Sequence, residues 1–122
     1  MAYRDNHYDN SMAYLLCRID ERNCKEEILD INEKCLELFE CDSLEELKEY
    51  CDDYIYNAVY KDDRNRVNHK KEDVISSKQF VMQHTVFRIV TTQGNIKWVD
   101  AYVNLNDTIS RGLVYHMFMT DI

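Results

Sequence analysis

Proline is absent from the 122 residues, and glycine occurs only at Gly94 and Gly112. Proline-rich linkers and glycine-rich phosphate-binding loops are therefore excluded. The chain also has no run of about 18 apolar residues, the length that a transmembrane helix requires. It does not open with a basic segment followed by an apolar one. These absences predict a cytoplasmic protein with no membrane contact from this segment.

Positive charge is scarce as well. The sequence has 15 lysines and arginines against 23 aspartates and glutamates, a net charge of -8. Basic residues form no cluster longer than Lys70-Lys71, and the acidic residues are spread along the chain. Binding to nucleic acid or to an anionic membrane requires concentrated positive charge. Neither partner is expected.

The five cysteines, at positions 17, 24, 35, 41 and 51, include no C-x-x-C pair. An odd number without that spacing fits neither a disulfide framework nor a zinc site. We therefore expect reduced thiols, as in cytosolic proteins, and no bound metal. The G-x-S-x-G and H-E-x-x-H motifs of hydrolases and metalloproteases are also missing, so we do not expect an enzyme.

The second half of the chain is rich in β-branched and aromatic residues, which fit the pleated surface of a strand. Two such runs within 80–107 meet at Gln93-Gly94. Glycine permits the positive φ that a tight turn needs. We predict a long β-hairpin over residues 80–107, followed by a third strand over 112–120.

The first half contains two further strand candidates and several short helices. Residues 12–20 and 28–31 are predicted strands, and 49–58 a short helical segment. Asn32 is a typical helix N-cap. Segment 1–11 is predicted to be a disordered flank or a short helix. Because no linker interrupts the rest, we predict a single domain over 12–122.

Two further helix starts follow from side-chain chemistry. Ser43 and Glu46 have the spacing of a capping box, in which the hydroxyl and the carboxylate bond to free backbone N–H groups. Asp62-Asp63 favours the positive end of a helix dipole. The helix that begins there is predicted to stop near Ser76-Ser77.

Four segments resemble those of PAS domains, and together they extend over nearly the whole chain. They are ILDINEKCLELFECDSLEELKE (28–49), VYKDDRNRV (59–67), FRIVTTQGNIKWV (87–99) and the ending MTDI (119–122). In order, they are similar to the second strand with its following helices, an acidic helix start, the long hairpin with its glycine and tryptophan, and the closing strand of that family.

The resemblance implies an α+β fold with a five-stranded antiparallel sheet of order 2-1-5-4-3, short helices on one face, and a cavity between them. It also implies a sensory role. A small ligand or dimerisation would change the packing and signal to an effector C-terminal to this segment, such as a diguanylate cyclase or a histidine kinase. Met117 stands where the family often has glycine, which is expected to reshape the cavity. The ligand stays unidentified, because one fold hosts many ligands.

Alternation along the first strand of the hairpin places Gln83, Thr85 and Phe87 on one face, which the resemblance turns towards the cavity. Buried polar groups need partners; a small ligand, waters or neighbouring side chains can supply them. Core packing is the alternative role for the apolar members. The predicted ligand-binding set is Gln83, Thr85, Phe87, Tyr54, Phe39 and Met117.

The opposite face carries Met82, His84 and Val86, which makes the sheet apolar on both sides. Such a sheet must be covered on both faces. We predict that a second copy of the chain, or the N-terminal segment with Tyr8, covers this side. A one-residue error in strand register would exchange the two faces.

The sequence gives little support for a flavin, a haem or a redox-active cysteine. Arg22-Asn23-Cys24-Lys25 superficially resembles the flavin-reactive Asn-Cys-Arg signature of LOV domains, but it lies between the first two strands instead of on a later helix. Haem needs an axial ligand, commonly histidine, and His69 has polar neighbours that indicate a solvated face. Redox sensing needs an exposed cysteine with a lowered pKa, whereas Cys35 repeats with an apolar stripe. The cofactor is left as unknown.

Two other functions remain open. In a ligand-free dimerisation scaffold, side chains such as Met117 and Met119 would fill the cavity. A small cavity enzyme of the NTF2-like type would need an inward acid and helices ahead of the strands. Here strands come first, and Asp100 shares its side with Trp98 and Tyr102.

Overall fold

The computed structural model describes residues 12–23, 25–77 and 81–122. Within these ranges, five antiparallel strands form one sheet of order β2-β1-β5-β4-β3, which places the first and last strands side by side at its centre. The elements are β1 (Ala13–Asp20), β2 (Lys25–Ile31), α1 (Glu33–Phe39), α2 (Leu44–Cys51), α3 (Arg64–Ser77), β3 (Gln83–Val90), β4 (Ile96–Thr108) and β5 (Gly112–Asp121), with 3-10 helices at Ile55–Ala58 and Lys61–Asp63. The predicted fold class and strand order are confirmed.

Side-chain caps fix the starts of the two short helices. The Asn32 carboxamide oxygen accepts a hydrogen bond of 2.9 Å from the Cys35 N–H. The Ser43 hydroxyl accepts one of 3.1 Å from the Glu46 N–H. Glu46 reaches back to the N–H of Asp42 at 2.8 Å, one position before the cap residue. These bonds satisfy N–H groups that a helix start otherwise leaves free.

Some boundaries differ from the prediction. β2 begins at Lys25, ahead of Ile28, because Asp20 and Ile19 of β1 pair with Lys25 and Glu26. Strand pairing here outweighs the weak β-propensity of a Lys-Glu-Glu sequence. The predicted helical segment 49–58 divides at Asp52, which adopts φ 55°.

The two glycines occupy the turns that connect the last three strands. Gly94 has φ 86° between β3 and β4, and Gly112 has φ 73° at the start of β5. Side chains disfavour this left-handed region. The turn at Gly94 is the one that the sequence analysis predicted, whereas Gly112 was predicted only as the start of the last strand.

Alternation of side chains gives the sheet two different faces. The inner face packs against the helices, while His84, Trp98 and Tyr102 lie on the outer face. Buried inner-face residues are Leu15, Cys17, Phe87, Ile89, Val99, Ala101, Tyr115, Met117 and Met119. Helix α3 adds only Val67 to the fully buried set, so it is the more loosely packed part of the cover.

None of the helices in the described part of the chain is long and apolar enough to cross a membrane.

Candidate functional site

A small cavity lies between helix α3 and the inner face of strands β3, β4 and β5. Its volume is about 40 Å³, which is space for roughly three water molecules. Apolar side chains form most of its walls, including Val67, Val74 and Ile75 on the helix and Val103 and Leu105 on the sheet. An apolar chamber with a few polar groups at its margin is the usual form of a small-molecule site.

The structure brings most of the predicted ligand-binding residues to this cavity. Phe87 and Met117 are buried, and Gln83 and Thr85 are half-buried. The side chains from the predicted set that line it are Gln83, Thr85, Phe87 and Met117.

The other two predicted residues lie beside the cavity and do not line it. Phe39 lines a separate void of about 10 Å³, together with Phe87 and Met117. The Tyr54 hydroxyl contacts the ammonium of Lys71, and Lys71 does line the cavity. Tyr54 is therefore connected to the cavity through a residue that the sequence analysis did not select.

The polar groups on β3 have protein partners. The Gln83 side-chain amide donates a hydrogen bond of 3.2 Å to the Val81 carbonyl. The Arg66 guanidinium lies 3.5 Å from the Thr85 hydroxyl and donates to the Val86 carbonyl at 2.9 Å. Neighbouring residues thus supply part of the hydrogen bonding that a ligand or water could otherwise provide.

A buried ion pair between Glu26 and Lys71 forms the polar end of the cavity region. Lys71 Nζ lies 2.9 Å from Glu26 Oε2, and the two side chains are 15% and 1% exposed. Glu26 Oε1 accepts a second bond, of 2.6 Å, from the Tyr115 hydroxyl. Taking a carboxylate out of water is costly unless it is paired and hydrogen-bonded, and Glu26 has both kinds of partner.

Aromatic rings surround the Lys71 ammonium. Its Nζ lies 4.3 Å from the ring centroid of Tyr54 and 4.7 Å from that of Tyr56. Burial alone would lower the pKa of Lys71, but the attraction of Glu26 and the hydrogen bonds to Tyr54 and Glu26 outweigh it and raise this pKa. The ammonium is therefore positively charged at neutral pH.

Sequence reasoning missed both members of this pair. Glu26 fell outside the predicted second strand, and Lys71 was read with His69 as part of a solvated face. A signal for Lys71 existed, because Val67, Lys71 and Val74 recur at helical spacing on one face of α3. Glu26 gave no local signal, since its partner is 45 residues away.

A second ion pair attaches the start of helix α3 to strand β3. The Asp63 carboxylate accepts bonds from Arg88 Nε at 3.0 Å, Arg88 Nη2 at 2.8 Å and the Arg88 backbone N–H at 2.8 Å. The guanidinium lies between the rings of Tyr60 and Trp98, 4.6 and 4.8 Å from their centroids. The hydrogen bonds from the Arg88 side chain hold the pKa of Asp63 below its usual value.

Two of the predicted dimer residues, His84 and Val86, lie on the outer face of β3. Met82, just before β3, is 52% exposed, and Trp98 and Tyr102 are exposed on β4. His84 bonds to Asp100 and stacks on Tyr102 with ring centroids 4.6 Å apart. Val86 is half-buried. Tyr8 lies outside the described residues.

The four cysteines that the structure describes are all buried. Burial raises the pKa of each thiol, that of Cys51 to about 11. A reactive thiol needs a low pKa and access to solvent, so these four are poor candidates for redox sensing.

The residues behind the flavin and haem alternatives are Cys24, with its neighbours, and His69. Cys24 falls outside the described residues, and its neighbours Arg22 and Asn23 form an exposed turn between the two strands at one end of the sheet. His69 is exposed on α3. Among residues 12–23, 25–77 and 81–122, no group of three or more His, Cys, Asp or Glu side chains could hold a metal ion.

Comparison with known families decides the classification. A family model described as the PAS fold matches residues 28–117, most of the chain. The chain belongs to the PAS family. The match begins in β2, close to Glu26, and ends in β5 at the cavity residue Met117, so it includes the cavity walls on α3, β3 and β4. The comparison with curated proteins gives no match.

Solved PAS structures share the architecture at low sequence identity. A PAS domain of a LuxR-family transcriptional regulator from Burkholderia thailandensis, in complex with ethanol, has a TM-score of 0.68 at 14% identity, covering 100% of this chain and 98% of that one. A domain of a light- and redox-sensing histidine kinase from Haloarcula marismortui has a TM-score of 0.65 at 15% identity, covering 100% and 99%.

The N-terminal domain of a diguanylate cyclase with a PAS/PAC sensor from Marinobacter aquaeolei is also similar. Its TM-score is 0.60 at 16% identity, covering 89% of this chain and 94% of that one. At such identities the likeness establishes the fold of this PAS domain. Its ligand and effector need separate arguments.

Proposed function

We propose that this PAS domain is a cytoplasmic sensory input module that binds a small ligand in the cavity beneath α3 and signals to an effector domain. The observation that carries the proposal is the placement of the cavity. It lies between the sheet and the most loosely packed helix, so an occupant would contact both. A ligand acts through different affinities for two states, and the position of α3 against the sheet is the element that can differ.

The similar structures support a sensory role and a range of effectors. Two of them come from a histidine kinase and a diguanylate cyclase, and a third, from a transcriptional regulator, contains ethanol. A small molecule with an apolar part suits a cavity of about 40 Å³ with apolar walls. We propose an effector of the kinase or cyclase class for this domain, and no catalytic role for the domain itself.

Filling the cavity tests the ligand part of the proposal. A library of small metabolites, screened by thermal shift, should include compounds that raise the Tm of the wild-type protein. Val103→Leu adds one methylene to the cavity wall and should abolish that response, with a stability cost of at most about 1–3 kcal/mol. Val86→Leu is the matched control, because it adds the same group on the outer face and should keep the response.

The outcome separates a sensor from a scaffold. If no compound raises the Tm of the wild type, or if Val86→Leu and Val103→Leu behave alike, the cavity is not a ligand site. The small volume and the position of Met117 against it favour the ligand-free dimerisation scaffold as the second candidate function.

Dimerisation through the outer face is the partner proposal. Support comes from exposed apolar side chains just before β3 and on β4, including Met82, Trp98 and Tyr102. Sedimentation should show a dimer at micromolar concentration, and Met82→Glu should convert it to a monomer by burying a charge in the interface. Ile109→Glu, at the fully exposed turn before β5, is the control that should remain dimeric. A monomeric wild type would contradict the proposal.

A further inference from the structure

The residues around the Lys71 ammonium have the composition of a cation-binding cage. The Glu26 carboxylate supplies the negative charge, and the rings of Tyr54 and Tyr56 supply π-faces at 4.3 and 4.7 Å from Nζ. The Tyr115 hydroxyl holds the second carboxylate oxygen at 2.6 Å. A carboxylate combined with tilted aromatic rings is the chemistry by which proteins recognise organic ammonium groups.

The cage does not depend on helix α3 for its walls. Glu26 belongs to β2, Tyr54 and Tyr56 to the segment around the first 3-10 helix, and Tyr115 to β5. The ring pairs Tyr54–Tyr56 and Tyr56–Tyr115 pack at 5.7 and 6.1 Å between centroids. Helix α3 contributes the occupant, the side chain of Lys71, and one bond to a wall residue, in which the Tyr54 hydroxyl donates to Asn68 Oδ1 at 3.4 Å. Withdrawing the Lys71 side chain would leave the walls in place.

The cage also opens onto the apolar cavity. Lys71, Tyr56 and Tyr115 line that cavity, so a molecule with its charged end in the cage would place its apolar part among Val67, Val103 and Leu105. An anionic ligand would face the buried Glu26 carboxylate, and a neutral one would leave that carboxylate unpaired if Lys71 moved away. Only a cation can replace Lys71 without leaving a buried charge uncompensated.

We infer that the cage is the recognition end of the ligand site and that the ligand is a small organic ammonium, with the Lys71 side chain occupying its place in the ligand-free protein. This inference rests on the proposed function of the cavity. Binding would release Lys71, and with it the middle of α3, from the sheet. Lysine suits this role because its flexible stem can carry the ammonium into water.

Chemical complementation provides the test. Lys71→Ala removes Cγ, Cδ, Cε and the ammonium, a group that n-propylammonium reproduces, and alanine preserves the helix. The Tm of this variant should fall, and n-propylammonium at millimolar concentration should raise it again by on the order of 5 °C. The isosteric neutral n-propanol and the anion propionate should not.

Two controls keep the interpretation specific. Glu26→Gln combined with Lys71→Ala removes both charges, so its Tm should not respond to n-propylammonium. Lys61→Ala removes an exposed lysine that does not line the cavity, and this variant should respond no more than the wild type. If Lys71→Ala is too unstable to purify, the wild-type protein can be used, in which an added alkylammonium competes with the Lys71 side chain for the cage. There n-pentylammonium should raise the Tm more than n-pentanol does.

The results distinguish failure of the ligand class from failure of the cavity. Equal responses to n-propylammonium and n-propanol, or a response that survives Glu26→Gln, would overturn the ammonium assignment while leaving the cavity as a ligand site. No response of either protein to any probe or library compound would overturn the ammonium assignment and the proposed ligand site together.

Discussion

Helix α3 is attached to the sheet by two ion pairs of different construction. At its start, Asp63 receives two bonds from the Arg88 guanidinium and one from the Arg88 backbone N–H. In its middle, Lys71 contacts Glu26 as a single point charge. The planar guanidinium fixes a geometry, whereas the lysine ammonium on its flexible stem does not.

The surroundings of the two pairs also make Arg88 the more fixed side chain and Lys71 the less fixed one. Arg88 lies between Tyr60 and Trp98, away from the cavity, while Lys71 lines the cavity. We therefore regard the Asp63 end of α3 as a fixed anchor and the Lys71 position as a releasable contact. A helix that is fixed at one end and releasable in its middle can turn cavity occupancy into movement.

The largest effect is expected from removing the lysine of the buried pair. Lys71→Ala should lower the free energy of unfolding by about 3–5 kcal/mol, because it leaves the Glu26 carboxylate buried and unpaired. Urea denaturation at pH 7 measures this loss. Glu26→Gln with Lys71→Ala should recover most of it. If the double variant is as unstable as Lys71→Ala alone, the loss comes from packing and the unpaired-charge explanation is wrong.

A smaller loss is expected at the fixed end. Asp63→Asn should lower the free energy of unfolding by about 1.5–3 kcal/mol, because the hydrogen bonds to Arg88 lose their charge. Asp62→Asn is the matched control at the exposed neighbouring position and should stay within about 0.5 kcal/mol of the wild type. A loss of unfolding free energy in Asp63→Asn greater than that in Lys71→Ala would contradict the expected order of the two effects.

The pH dependence of stability should also distinguish the Asp63–Arg88 pair from the Lys71–Glu26 pair. The pKa of Asp63 is lowered in the folded protein, so its contribution is complete above the unfolded value of about 3.9 and is lost as pH falls through the folded value. The gap in unfolding free energy between wild type and Asp63→Asn should be constant from neutral pH to about pH 5 and shrink below about pH 4. A gap that stays constant at low pH would contradict this account. The pKa of Lys71 is raised, so its contribution is lost only at alkaline pH.

The local features of the fold could be predicted from the sequence. The N-caps at Asn32 and Ser43 and the turn at Gly94 each follow from the chemistry of one or two neighbouring residues. Strand alternation placed Gln83, Thr85 and Phe87 on one face, and the family resemblance turned that face inward, where the structure places them at the cavity.

The two ion pairs could not be predicted, because their partners are distant in the chain. Glu26 and Lys71 are 45 residues apart, and Glu26 and Tyr115 are 89 apart. A lone Lys or Glu is usually a surface residue, so neither attracted attention by its type. Asp63 was recognised only as part of a helix start, although its carboxylate holds Arg88 of β3.

Hydrogen exchange along α3 tests most directly whether the helix is fixed at its start and releasable in its middle. Amide exchange in residues 68–77 should be faster in Lys71→Ala than in the wild type, while exchange in residues 61–66 should stay unchanged. Adding n-propylammonium to the variant should leave exchange in 68–77 fast, because the free ammonium fills the cage without joining α3 to the sheet. Unchanged exchange in 68–77, or equal acceleration in both segments, would contradict the account.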